Sequence, residues 1–223
     1  MFISPKYQAS EFPQPVSIDD KITIFEDRTL GWKLDIANQL INGKKKNDGT
    51  DERSPIPDSG YAVMDIVFSY FEMIAKYEDG YTDKFQSKRY FKLGVFSVFP
   101  HLKQYRRNKP IQDAHGNNIS IVDYLLDLLY EGVRCGLYHA GGTNGPIMIT
   151  SGVEYPITLD LQDKFLIINP HLLVPILIEH FVVYIKNLRD MNNTDLRKKF
   201  ELRYDFDSQI KLFRFVLEFD FTS

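Results

Sequence analysis

Between Tyr61 and Ala75 the residues Tyr61, Met64, Val67, Phe68, Phe71, Ile74 and Ala75 recur at three- and four-residue intervals. This spacing predicts a helix that is apolar around most of its circumference. Such a helix has to be enclosed, so the chain must supply further helices with an oily face to cover it. Three candidates do so. Ile121, Val122, Leu125, Leu128, Leu129 and Val133 describe a second long helix that Ala140-Gly141-Gly142 ends. The run Leu172–Ile185 describes a third, with Asn169 as cap and Pro170 in its first turn, reaching about Asp190. A shorter helix is expected over Ser87 to Phe99, stopped by Pro100. The enclosed helix itself should start at a Ser59 cap and end before Asp79-Gly80.

The intervening segments read differently. Residues 1–57 form an irregular Pro-containing arm, a short alternating segment Lys21 to Glu26, a helix from about Thr29 to Asn42 and an exposed loop from Gly43 to Pro57. A helical core is expected over 58–191, broken near 146–168, where Ile157, Leu159 and Leu161 alternate before Gln162-Asp163 and suggest a β-hairpin. Residues 192–223 read as an extension. There Phe213, Phe215, Leu217, Phe219 and Phe221 alternate with Arg214, Glu218 and Asp220, the pattern of a strand with one oily face, with Lys21 to Glu26 or another subunit as its partner. The fold class expected is mainly α: a helical bundle with a small inserted β-hairpin and a C-terminal β-strand.

Composition then narrows the setting. Leu172–Ile185 is 14 residues long and contains Pro175, Glu179 and His180, whereas a membrane span needs about 20 apolar residues. A buried helix is expected, with no membrane anchor. The single Cys135 precludes an internal disulfide, and Pro5, Lys6 and Glu11 leave no apolar leader, so a cytoplasmic protein is expected. Although the net charge is −3, the segment Lys84 to Lys109 holds eight Lys or Arg and no acid, leaving 19 basic against 30 acidic residues elsewhere. One basic stretch therefore rides on an acidic body. Within it, His101-Leu102-Lys103-Gln104-Tyr105-Arg106-Arg107-Asn108-Lys109 interleaves cations with aromatics, as single-strand RNA surfaces do, and reads either as that or as a solvated loop.

No P-loop, HExxH, CxxC, GxSxG or dinucleotide fingerprint is present, so neither a metal nor a cofactor is expected. What stands out is Glu131-Gly132-Val133-Arg134-Cys135-Gly136-Leu137-Tyr138-His139-Ala140-Gly141-Gly142, an arginine and a histidine five apart at a glycine-marked helix end. With an aromatic-rich helix carrying Glu72 before it and another helix after the hairpin, the region Ser59 to Asp190 resembles the HEPN superfamily, small helical domains whose ribonuclease members carry Arg-x(4–6)-His. The resemblance implies metal-independent RNA cleavage by Arg134 and His139, with two such motifs meeting in a homodimer. It also implies a place in microbial antiviral defence or a toxin–antitoxin system, with an antitoxin or nucleotidyltransferase as partner. The chemistry makes a parallel demand: attack by a 2′-hydroxyl needs a base, an acid and positive charge for the phosphorane. His139 suits the first two and Arg134 the third. Tyr138 either stacks on a base or faces the core.

Blander readings stand beside these. Arg134 could pair with Glu131 or Asp127 on its own helix, and His139 could simply complement the helix C-terminus. The strip Asp123, Asp127, Glu131 reads as a solvated face, Cys135 as a small packed residue, and Gly141 to Gly145 as a helix stop and turn. His115 is expected in a turn, with His171 at a helix start and His180 at a core edge. Five residues on a straight helix rotate by about 140°, so an irregular backbone is expected near Gly136. The reading from another class is a non-catalytic HEPN-like module that binds RNA, nucleotides or a partner.

Overall fold

The computed structural model describes residues 2–13, 15–107, 110–112 and 116–219. The chain begins with an arm and then runs through α1 (Ile18–Thr29), a π-helical turn (Leu30–Leu34) and α2 (Asp35–Asn42) without a break. A minimal ladder of β1 (Lys44–Lys45) and β2 (Asp51–Arg53) follows, then α3 (Gly60–Asp79), α4 (Ser87–Val98) and a 3-10 segment (Pro100–Arg107). After β3 (Ile111–Gln112) and β4 (Asn118–Ile119) come α5 (Ile121–Asp127), a π-helical stretch (Leu128–Cys135) and α6 (Gly136–Ala140), again continuous. Three strands, β5 (Ile147–Ile149), β6 (Ile157–Asp160) and β7 (Phe165–Ile168), precede α7 (Pro170–Arg189) and α8 (Thr194–Phe219). The fold is mainly helical, with small sheets of short strands.

α3 is the enclosed helix that its periodicity predicts. Val63, Met64, Val67, Phe71 and Ile74 have no exposed surface. α4 lies closest against it. A Cβ built on Gly94 would meet the backbone of Phe71, 2.8 Å from its Cα, so the two helices touch backbone to backbone there. Phe91 of α4 then stacks on Phe68 and meets Phe71 edge to face. α7 starts as expected: Asn169 Oδ1 accepts from the His171 backbone N–H at 3.0 Å, and Pro170 occupies the first turn. It is long and apolar enough to cross a membrane by length and composition alone. In this fold it packs Leu173, Val174, Leu177, Phe181, Tyr184, Ile185 and Leu188 into the core. Ser59 stands at the N-cap of α3, yet its hydroxyl donates to the Leu40 carbonyl and so ties α3 to α2.

Two segments differ from expectation. Lys21 to Glu26 is helical, not extended. Ser17 caps α1 by accepting from the Asp20 N–H at 3.1 Å, and Ile22, Phe25 and Thr29 bury one helical side, with Ile24 also buried. A six-residue alternation is too short to separate the two periods once a cap lies just upstream. The C-terminal alternation from Phe213 to Phe219 likewise lies in α8, and Phe221 lies outside the described residues. That helix is fixed earlier by Leu196, Phe200 and Tyr204 at four-residue spacing, Phe200 being fully buried against Phe25 and Tyr77. Extending an existing helix avoids the cost of nucleation, so it runs on through the alternating residues. The core consequently draws on α1, α2 and α8 as well as on 58–191.

The inserted β-hairpin is present as β6 and β7, antiparallel with Leu159 opposite Leu166. Asp160 closes its turn by accepting from the Gln162 and Asp163 N–H groups. β5 adds a third strand, parallel to β7, giving the order β5-β7-β6.

Candidate functional site

The helix that carries the motif is not a straight α-helix. It is α-helical to Asp127, π-helical from Leu128 to Cys135, and α-helical again from Gly136. The irregularity expected near Gly136 ends on the residue before it. π-turns, with hydrogen bonds from i to i+5, are rare and tend to mark functional positions. The opposite side of this helix is held by a returning loop. Gly141 ends α6 with a left-handed backbone (φ 67°), the chain folds back, and the Asn144 N–H donates to the Gly132 carbonyl at 2.8 Å. A Cβ on Gly136 would lie 2.6 Å from the Gly142 carbonyl oxygen, and one on Gly132 would lie 2.7 Å from that of Asn144. The glycines of the motif therefore seat this loop.

Arg134 faces the bundle. Its guanidinium reaches Glu72 of α3 at 3.2 Å and lies 5.6 Å over the ring of Tyr130 and 5.4 Å over that of Tyr138. The side chain keeps 25 % of its surface exposed, so it is sheltered yet reachable. Glu72 also accepts from Lys76 at 2.6 Å. Burial opposes its charge, but hydrogen bonds from Lys76 and Ser87 and the charges of Lys76 and Arg134 outweigh it and hold the carboxyl below the usual glutamate range. For Arg134 burial likewise works against the cation, and the charge of Glu72 together with Cys135 and Tyr130 outweighs it, so the group stays firmly charged. Cys135 is half-buried. The blander pairing of Arg134 with Glu131 or Asp127 on its own helix is not found among the described residues. Asp127 and Glu131 are taken by Lys88, at 2.9 and 3.0 Å, and Lys92 bonds Asp127 at 2.8 Å.

His139 is exposed, one turn beyond Arg134. Its ring meets the Tyr138 ring edge to face, centroids 5.0 Å apart. Tyr138 is 72 % exposed and so touches both motif residues, with the Arg134 cation over its ring and His139 against it. Of the other residues predicted from sequence, Lys103 lies 5.8 Å from the Phe96 ring centroid and Tyr105 is exposed, both on the 3-10 segment. The side chains of Arg106 and Arg107, and all of Asn108, Lys109 and His115, lie outside the described residues. Within the basic stretch the α4 lysines Lys88 and Lys92 are thus neutralised by Asp127 and Glu131. Among the described residues no group of three or more His, Cys, Asp and Glu side chains is placed to hold a metal ion.

Sequence reading missed a second polar cluster. Ser97 Oγ donates to Glu78 at 2.6 Å and lies 3.1 Å from His180 Nε2, while Tyr70 Oη lies 2.8 Å from His180 Nδ1. With His180 neutral and protonated on Nε2, every bond runs one way, from Tyr70 through His180 and Ser97 to Glu78. In that direction Ser97 gives its proton to Glu78, so the histidine is not poised to activate it. Burial lowers the His180 pKa from its ordinary value of 6.5 and raises that of Glu78 from 4.5. The signs follow. The unfolded chain protonates His180 more readily, so stability falls as pH drops below 6.5. Glu78 acts oppositely, its folded form binding a proton more tightly, so stability erodes as pH rises above 4.5. In a Glu78→Gln background, urea unfolding should show stability declining below pH 6.5, and adding His180→Gln should flatten that slope. A slope unchanged by His180→Gln would place the titration elsewhere.

No known protein family, curated protein or solved structure matches this chain.

Proposed function

We propose that this protein is a metal-independent endoribonuclease of the cytoplasm, acting as a homodimer in which two Arg134/His139 pairs build one site. The observation that carries this reading is the placement of Arg134: charged, sheltered, fixed by Glu72 and two tyrosines, and joined through Tyr138 to an exposed histidine. A fixed cation of this kind meets phosphate oxygens with forked donors and stabilises the phosphorane without reorganising. His139 takes the 2′-hydroxyl proton as that oxygen attacks phosphorus. The bond from phosphorus to the 5′-oxygen breaks, and the departing oxygen takes a proton from His139 of the partner subunit. The products are a 2′,3′-cyclic phosphate and a 5′-hydroxyl. Exposed Tyr138 offers a stacking face for a base beside the scissile bond.

Purified protein should cleave single-stranded RNA in excess EDTA, with end analysis finding cyclic phosphate. Cleavage that EDTA abolishes would sink the mechanism. The 3-10 segment should hold the strand: Lys103→Ala/Arg106→Ala/Arg107→Ala should weaken RNA binding and reduce the slope of log K against log salt by about 2, near 0.7 per lost phosphate contact. An unchanged slope would remove this surface from the interface.

A second reading is favoured by the same ion pair. If Glu72 holds Arg134 permanently, the arginine is a strut between α3 and the π-helical stretch, and the chain is a non-catalytic module whose basic surface binds RNA or whose faces bind a protein partner. In that case Arg134→Ala and His139→Ala leave RNA intact in every assay while the triple variant still loses binding.

A further inference from the structure

A cleft of about 430 Å³ opens between α1, the Leu30–Leu34 turn, α3 and α8. Its wall is aromatic. Phe25, Tyr77 and Tyr204 are buried, the Phe25 and Tyr77 ring centroids lie 4.2 Å apart, and all three rings pack on Phe200. Trp32, the one tryptophan in the chain, lines the cleft with 47 % of its surface exposed. On α3 the cleft takes Met73 and Tyr77, each one residue on from Glu72 and Lys76, and one residue on a helix is a turn of about 100°. It therefore lies on a different side of α3 from the Arg134 contact.

Its charge is one-sided. Asp207 lines the cleft, but its carboxylate already accepts from Arg203 at 2.6 and 3.1 Å and from the Tyr77 hydroxyl at 3.0 Å. Arg28 is differently placed. It donates through Nε to the Ile3 carbonyl and lies 6.0 Å over the Tyr204 ring, while its two terminal nitrogens have no hydrogen-bond or ion-pair partner among the described residues. Lys33, which bonds Ser69, adds a second cation to the lining. A cleft of this size, with flat apolar walls and a few convergent polar groups, has the anatomy of a small-molecule site.

We propose that this cleft binds a planar aromatic ligand carrying a phosphate or carboxylate, the ring lying between Trp32 and the Tyr77–Tyr204 wall and the anion on the terminal nitrogens of Arg28. Arginine suits this task because its fork matches both anions and its plane already rests on an aromatic ring. The inference is independent of RNA cleavage.

Trp32 reports on the cleft directly. The full-length protein is titrated with AMP, phenyl phosphate and benzoate, with adenosine and inorganic phosphate as half-ligands, and the tryptophan emission is followed. Saturable changes are expected with at least one of the ring anions, and at least about tenfold weaker binding with either half-ligand, the factor a charge-assisted hydrogen bond supplies. AMP and phenyl phosphate against benzoate tell which anion is preferred. Arg28→Gln should weaken the preferred ring anion about tenfold and leave adenosine unchanged. Because Arg28 also anchors Ile3, a second variant, Ser208→Phe, fills the cleft from α8 and should abolish binding by calorimetry with circular dichroism unchanged. The proposal is overturned if no ring anion saturates, if adenosine binds as tightly as AMP when AMP is the preferred ligand, or if Arg28→Gln keeps full affinity. It is overturned equally if the emission shifts with protein concentration alone, which would put a second copy of this chain on the cleft.

Discussion

Replacing Gly94 with alanine should destabilise the protein by about 3 kcal/mol or more, although the same change in an exposed helix is expected to stabilise by about 1 kcal/mol. The added methyl would sit 2.5 Å from the Phe71 carbonyl carbon and 2.8 Å from its Cα. Neither atom belongs to a side chain that can rotate away. Relief requires moving α4 from α3, which would pull Phe91 away from Phe68 and Phe71. A loss of that size is a large part of the 5–15 kcal/mol that holds a domain folded. Gly142 is the control, since a Cβ there meets nothing within 4 Å, and Gly142→Ala should change stability by less than about 0.5 kcal/mol. Urea unfolding of both variants decides the matter. A stabilised Gly94→Ala would mean that the α3–α4 contact is looser than described.

His139→Ala should lower RNA cleavage by about 10²- to 10⁴-fold, the range for losing a general acid–base group, and leave stability nearly untouched because the side chain is exposed. Arg134→Ala should behave differently. It too should cost at least about 10²-fold in cleavage, but it also deprives Glu72 of one of its two cations while that side chain is only 16 % exposed. Lys76 remains, so the expected stability loss is about 1–2 kcal/mol, not collapse. The pair of variants separates chemistry from support: one loses activity alone, the other both. If His139→Ala retained full cleavage, a different residue would be the acid–base group, whatever happened at Arg134.

The bundle was legible because periodicity agrees with a local end signal in each long helix: Gly80 after α3, Gly141 after α6, and Asn169-Pro170 before α7. Asn169-Pro170 is read locally and acts locally. The positions that depend on a distant partner were not legible. Gly94 reads as a weak spot in a helix until Phe71 is seen beneath it, and nothing in its neighbours announces that. The short alternations at Lys21 to Glu26 and Phe213 to Phe219 signal strands only if the helices that absorb them are ignored, and those helices are set by Ser17 upstream of one and by Phe200 and Tyr204 upstream of the other. At the site, the residues of the motif and the need for an irregular helix followed from spacing. Glu72 was open to view on α3, but that it would take Arg134, leaving Glu131 and Asp127 to Lys88 and Lys92, depends on how α3, α4 and the π-helical stretch pack. Likewise, Tyr70, Glu78, Ser97 and His180 lie up to 110 residues apart, and only the packing of three helices gathers them.

The claim that two chains share one site is tested most directly by mixing. Wild-type protein is unfolded and refolded with a ninefold excess of His139→Ala chains, so that subunits pair at random, and RNA cleavage is measured in EDTA per wild-type chain. If both histidines serve one reaction, only pairs of wild-type chains are active, and the specific activity should fall to about one tenth. Activity per wild-type chain that is unchanged by the excess would show that each chain works alone, and would contradict the shared site.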